Sequence, residues 1–360
     1  MNSISEFQPQ WTSSPGETIK DILHEKNLSI DNFATIMGSN NEQIKKLLSG
    51  YVAITEDISN KLSKNIGGTP EFWLRRESQY RTVANKLRRQ EEEAWLKELP
   101  ISDMVKLGWL PANMANKAET CLEYFDVPNV KTWRNKYAVE LAMASFRTTS
   151  AFEIQPGAVA AWIRQGELKA ELIECKKWDR TAFRNALTLI KPLTKKKEPK
   201  DFLPQLIKIC SDSGVAVVIV KTPSGCRASG VTKFISPDRP LLLLSFRYLT
   251  DDQFWFTFFH EAAHLILHND RSIFIEEINN SGLVSQQEAE ANDFAAEELI
   301  SHELRTQLAK IPLTKRSIVG FAIQAGISPG IVIGQLQHIG RVDHKRLNTF
   351  KRRYTWDSIL

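Results

Sequence analysis

The segment from Asp252 to His268 reads as one helix that is apolar on almost every side, with Phe254, Trp255, Phe256, Phe258 and Phe259 in a single run. A helix apolar all round has to lie inside a domain, covered by other elements. Yet this one carries His260, Glu261 and His264, an H-E-x-x-H pattern. Residues four apart lie one above the other on a helix, so both imidazoles can reach the same point. Burying them beside a carboxylate is costly unless their polar atoms are satisfied, and a zinc ion would satisfy them. His260 and His264 are therefore the expected metal ligands, and Glu261 the expected general base toward the water that such a metal activates. The chemistry implied is zinc-dependent hydrolysis. The bland alternative is a pair of structural histidines with hydrogen-bonded partners.

A catalytic zinc takes a third protein ligand and keeps one position open. Asp270 and Arg271 stand where a third histidine of the longer H-E-x-x-H-x-x-G-x-x-H pattern would fall. One helix rarely wraps far enough to supply three ligands, so His268 reads as a supporting or surface residue. A carboxylate on a second helix is the better candidate, and Gln287 to Leu299 has helical spacing. Glu290, Asp293 and Glu297 share a face that looks solvated; Glu288, Ala291, Asn292, Ala295 and Leu299 share a small-residue face that can pack closely. Glu288 is the expected third ligand, with Glu290 in reserve. Asn292, one turn on, is placed to hydrogen-bond a liganding histidine. For an oxyanion partner the sequence offers only Arg247 and Tyr248, just before the metal helix.

The rest of the chain sorts by period. Val215 to Val220 reads as a buried strand, and Gly230 to Ile235 and Leu241 to Ser245 as two more around Ser236-Pro237-Asp238. Everything from Asp252 onward reads as helix. Residues 81–200 look mainly helical, with Trp109, Trp133, Trp162 and Trp178 as core anchors. Near the N-terminus, Ser29 caps a helix to Met37, Gly38-Ser39-Asn40 breaks it, and Asn41 to Ser49 forms a second helix ended by Gly50. Two short helices across a glycine-containing turn make a helix-turn-helix signature.

The stretch from Pro15-Gly16-Glu17 through Leu28-Ser29, Phe33-Ala34, Leu47-Leu48-Ser49-Gly50, Ile54-Thr55 and Trp73-Leu74 resembles the HigA-type antitoxins of the XRE helix-turn-helix class. That resemblance implies a second helix in the major groove, with Asn40, Asn41, Gln43 and Lys46 as the DNA-facing set. Residues 147–340 resemble the ImmA/IrrE family of zinc metallopeptidases. The resemblance is carried by Phe254 to His264, by Glu288-Ala289-Glu290-Ala291-Asn292-Asp293-Phe294-Ala295-Ala296 and by Ile327-Ser328-Pro329-Gly330-Ile331-Val332. It implies a gluzincin-like α+β fold with His260 and His264 as zinc ligands and Glu261 as base. The implied substrate is a helix-turn-helix repressor. Ala263 stands where many relatives carry glycine, and Glu298-Leu299-Ile300-Ser301 lacks the proline that often follows.

The expected fold class is thus α+β and mainly helical. A helix-turn-helix bundle occupies 1–80, a helical region 81–146, a metallopeptidase domain with a small sheet 147–340, and a basic tail 341–360. Expected partners are a protein substrate, DNA and a cognate toxin, with a homodimer as the assembly and no membrane. Four scattered cysteines without a C-x-x-C pair and no signal-like N-terminus point to the cytoplasm. Charge bears on the DNA reading: residues 1–80 hold 8 basic and 10 acidic side chains, 81–200 hold 22 and 15, and 201–360 hold 17 of each. DNA-binding modules are usually basic, and Glu42 lies inside the proposed recognition helix, so the alternative is a helix-turn-helix used for protein contacts. Lys195-Lys196-Lys197 and the tail could meet phosphate, or be solvated.

Overall fold

The computed structural model describes residues 13–138, 155–268, 274–276 and 286–359. They fall into two compact units, divided between Trp95 and Leu96.

The first unit is built from short capped helices: α1 (Pro15–Glu25), α2 (Ile30–Met37), α3 (Asn41–Leu48) and α4 (Glu56–Ile66), followed by the long α5 (Pro70–Glu98), which runs on past the division. Ser14, Ser29, Asn40 and Thr55 each cap a helix by accepting a backbone N–H, which removes one orphan donor per helix. Ile19, Phe33, Ala34, Met37, Ile44, Leu47, Leu62 and Trp73 form the core. Glycine is required at one close approach: a Cβ on Gly16 would lie 2.0 Å from the Leu48 carbonyl oxygen. The expected helix-turn-helix, Ser29 to Gly50, is present as α2, a left-handed Gly38 (φ 64°) and α3.

In the second unit the helices are α6 (Ile101–Lys106), α7 (Lys117–Phe125), α8 (Val130–Lys136), α9 (Pro156–Glu171), α10 (Arg180–Ile190), α11 (Pro199–Ser211), α12 (Asp251–Leu267), α13 (Gln286–Leu299), α14 (His302–Leu308), α15 (Lys315–Ala325), α16 (Pro329–His338) and α17 (Trp356–Ile359). The strands are β1 (Ala216–Ile219), β2 (Gly230–Ser236), β3 (Arg239–Leu244) and β4 (Phe274–Glu276), in the order β1-β3-β2-β4. β1 and β3 are parallel; β2 is antiparallel to both of its neighbours. Alternate residues of the sheet serve two cores. Val217, Ile219, Leu242 and Leu244 face the aromatic residues of α12 and the apolar faces of α10, α11 and α16. Ala216, Val218, Leu241 and Leu243 face Ala158, Val159, Trp162 and Ile163 of α9. Both faces of the sheet are covered, which explains why its strands read as unbroken apolar runs. At Gly166 a Cβ would lie 2.5 Å from the Leu243 side chain, so α9 lies close on the sheet.

The fold is mainly helical α+β, as expected, with two local differences. The region after Asp252 is not all helix, because β4 adds a strand to β2; three residues are too few to show a period of two. Residues 341–359 are also no free tail. Thr250 and Arg353 form a bridge, Tyr354 N donates to Leu249 O, and the Arg352 guanidinium donates to the carbonyls of Thr194, Lys195 and Lys196 at 2.9, 3.0 and 2.6 Å. Among the described residues no single helix is long and apolar enough to cross a membrane.

Candidate metal centre

α12 is buried along nearly its whole length. Phe258, Phe259, Ala262 and Ala263 have no exposure, and the polar residues go in with them: His260 is 1 %, Glu261 0 % and His264 2 % exposed. The buried Ala263 leaves both imidazoles in place. α13 lies alongside, with Ala291, Ala295 and Leu299 as its buried stripe. Alanines here let the two helices approach closely enough for a short side chain to cross between them.

Glu288 is the side chain that crosses. His260 Nε2 and His264 Nε2 are 3.1 Å apart, Glu288 Oε2 is 3.2 Å from the first, and Glu288 Oε1 is 3.8 Å from the second. Ligands held tetrahedrally at roughly 2.0–2.1 Å from a zinc stand about 3.3 Å from one another. The spacing of the three groups therefore fits a small tetrahedral cation, and two neutral imidazoles with one carboxylate are a donor set that suits it. All three ligand atoms lie within 4.8 Å of one another, so this cluster could hold a metal ion.

Asn292 sets the direction of one ligand. Its Oδ1 is 3.0 Å from His260 Nδ1. With the proton on Nδ1 donated to that oxygen, the Nε2 lone pair is left for the cluster. Glu290 points elsewhere: it is 44 % exposed, accepts from Gln286 Nε2 at 2.8 Å and lies 3.8 Å from His268 Nδ1. His268 is buried and ties the end of α12 to α13, its Nε2 3.2 Å from the Gln287 carbonyl oxygen.

Glu261 has a separate seat. Thr232 Oγ1 of β2 donates to its Oε2, and a Cβ on Gly230 would fall 2.5 Å from its Oε1. Gly230 and Thr232 share one face of β2, so the strand forms the wall of this seat. Neither residue was singled out from sequence for this; the signal available was a glycine opening a strand. Arg247 donates to the Arg227 carbonyl and lies over the Tyr248 ring at 5.1 Å.

In the first unit the four expected DNA-facing residues are all exposed and all engaged within it. Asn40 and Gln43 form a reciprocal capping box, at 2.8 and 3.2 Å. Asn41 Nδ2 donates to Asp31 Oδ1 at 2.5 Å, and Lys46 pairs with Glu42 at 2.7 Å.

Comparison with known proteins follows this division. Residues 213–318, from the start of the sheet to α15, match the Peptidase_M78 family model, the IrrE N-terminal-like domain. The N-terminal region is 38 % identical over 60 residues to YddM of Escherichia coli (strain K12), an uncharacterized helix-turn-helix-type transcriptional regulator; the match takes in 17 % of this chain and spans 64 % of that relative's length. A solved structure from Nostoc punctiforme, described as that of a plasmid-maintenance antidote protein, is 32 % identical, covering 24 % of this chain and 93 % of its own at a TM-score of 0.22. The chain is thus a fusion of two classes of domain, a helix-turn-helix unit and a peptidase-family unit. The second of these is of the ImmA/IrrE type.

Proposed function

We propose that this chain is a cytoplasmic, zinc-dependent regulatory endopeptidase whose substrate is a helix-turn-helix repressor or a similar protein. The observation that supports it most is the triangle of buried His260 and His264 with partly buried Glu288, on the same helix pair that carries Glu261. Zinc held there supplies Lewis acidity toward a peptide carbonyl and lowers the pKa of water to about 7. Glu261 takes the proton of the attacking water and later returns it to the leaving amine. Thr232 holds the Glu261 carboxylate in one orientation for both transfers. Asn292 keeps His260 in the tautomer that can coordinate.

The test is incubation of the purified chain with candidate repressors, with zinc and with a chelator. Cleavage that survives complete zinc removal would refute this reading. Asn292→Ala should weaken zinc binding by about 10- to 100-fold, read by competition with a zinc-sensitive dye. Gly230→Ala pushes a methyl group into the Glu261 seat; turnover should fall by roughly tenfold or more at unchanged zinc stoichiometry, because small displacements of a catalytic group are costly.

A second reading, a DNA-binding antitoxin or transcription regulator with a sensory metal, is favoured by the similarity of the N-terminal region to a transcriptional regulator. Its partners would be operator DNA and a cognate toxin, bound by a homodimer. The engagement of Asn40, Asn41, Gln43 and Lys46 within the unit tells against strong base reading. A gel shift on the gene's own promoter, with Lys46→Ala as control, should show weak binding with a shallow salt dependence.

A further inference from the structure

Two basic runs that lie far apart in the sequence meet on the second unit. The short 3-10 helix Lys191–Lys195 leads into Lys196 and Lys197, and Lys200 stands in the first turn of α11. The Arg352 guanidinium donates to the carbonyls of Thr194, Lys195 and Lys196 at 2.9, 3.0 and 2.6 Å, so it adds its own charge to this turn. The Arg352 backbone is fixed in its turn: its N–H donates to Asp251 Oδ1 at 3.0 Å and its carbonyl accepts from Asp251 N at 3.1 Å. Lys195, Lys197 and Lys200 are exposed, and Lys196 and Arg352 are partly buried. The backbone under these cations is tied down, so a ligand has only their side chains to order.

Neighbouring acids do not cancel this charge. Glu198 and Asp201 are the acids of the turn, and five cations less two acids leave an excess of three. Among the described residues no salt bridge engages the four lysines; Lys196 Nζ donates instead to the Asp201 carbonyl at 3.4 Å. Lysines of the first unit behave differently, Lys20 pairing with Glu17, Lys46 with Glu42 and Lys61 with Asp57, each one helical turn away. That unit is also short of positive charge, with 8 basic and 10 acidic side chains in residues 1–80, against 22 and 15 in residues 81–200. Affinity for DNA comes largely from cations that displace counterions from phosphates, whatever the bases. A duplex carries one negative charge per roughly 1.7 Å of its axis. Such a dense row suits lysines crowded between positions 195 and 200 better than the scattered carboxylates of a protein surface do.

We propose that the turn from Lys195 to Lys200, with Arg352, binds the phosphate backbone of duplex DNA without regard to base sequence. The peptidase-family unit thereby supplies the phosphate affinity that the helix-turn-helix unit lacks, and it does so whether or not the chain cuts a protein. The test uses the full-length chain and two labelled duplexes, one from the gene's own promoter and one of scrambled sequence, followed by fluorescence anisotropy across a salt series. For the wild type, log affinity should fall against log salt with a slope of about −3 to −4, shallow beside a module making roughly 6–10 phosphate contacts. The triple variant Lys195→Gln, Lys197→Gln, Lys200→Gln should bind both duplexes about tenfold or more weakly, with a slope flatter by about 2 to 3. Arginine at the same three positions should keep both the affinity and the slope. Lys117→Gln, Lys131→Gln and Lys315→Gln together remove equal charge from exposed positions on α7, α8 and α15, and should change affinity by less than about twofold. Unchanged binding in the first triple variant, or an equal loss in the second, overturns the proposal. A loss confined to the promoter duplex does so too, because it would place these lysines in base reading. A wild type that binds neither duplex also overturns it, even one that binds anionic vesicles or an acidic peptide.

Discussion

Glu261→Gln and the wild type should bind zinc equally, with the variant cleaving about a thousandfold more slowly, while Glu288→Ala should lose zinc affinity by on the order of a thousandfold or more. The two variants separate the roles of two acids on neighbouring helices, Glu261 buried and Glu288 partly buried. Glu261 is bonded to Thr232 and packed against Gly230, whereas the Glu288 oxygens lie 3.2 and 3.8 Å from the two imidazole nitrogens. An amide at position 261 has nearly the same shape and can still accept from Thr232, but it cannot take a proton at neutral pH. Alanine at 288 removes the only negative charge of the donor set and leaves two imidazoles, too few for a closed site. Glu290→Ala is the internal control. That side chain is half-exposed and turned toward Gln286 and His268, and its loss should change zinc affinity by less than about threefold. Metal content by atomic spectroscopy and affinity by dye competition decide the outcome. Zinc lost in Glu290→Ala and retained in Glu288→Ala would reverse the assignment; a fully active Glu261→Gln would remove the general base from the mechanism.

What the sequence made legible follows from distance along the chain. The 3.6-residue period fixes which side chains of one helix share a face, so His260 with His264, and Glu288 with Asn292, could be grouped before any coordinates. Small residues at Ala291 and Ala295 marked the face that approaches α12. The same residue types at a helix start misdirect the eye: Asn40 and Gln43 look like base readers but have the spacing of a capping box, and they form one. What was not legible joins distant segments. Thr232 reaches Glu261 across 29 residues, Ser328 reaches Asp251 across 77, and the Arg352 N–H reaches Asp251 across 101. None leaves a periodic trace. A basic run such as 351–353 reads the same whether it is solvated or set over a buried acid. Asp252, where the helix starts in the sequence, and its neighbour Asp251 are both buried, and two adjacent acids there were the hint at the second case.

That pair places two buried carboxyl groups at the N-terminus of α12. Lys351 Nζ lies 2.6 Å from Asp252 Oδ2 and donates a hydrogen bond to Gln337 Oε1 at 2.7 Å; the two ion-pair side chains are 12 % and 3 % exposed. Lys351→Met should destabilise the second unit by about 3–5 kcal/mol, because it leaves a buried carboxylate without its counter-charge. Lys351→Met combined with Asp252→Asn should recover part of that loss. Asp251 behaves differently. Burial pushes its pKa up to about 6 despite donors from Ser328 Oγ at 2.7 Å and Arg352 N at 3.0 Å, with Asp252 adding to the rise. In the unfolded chain an aspartate titrates near about 3.9. The folded state therefore holds this proton more tightly, so the contribution of Asp251 is most favourable below about pH 4 and is lost as pH rises to about 6. Above pH 6 the ionised group carries a penalty of order 3 kcal/mol. Asp251→Asn keeps an acceptor for Arg352 N and lets Ser328 accept in turn. Its denaturation midpoint should then be flatter than the wild type's between pH 4 and 6, and higher at pH 8. A wild-type stability that rises through that window, with the mutant following it in parallel, would show that Asp251 is ionised throughout and that its neighbours outweigh its burial.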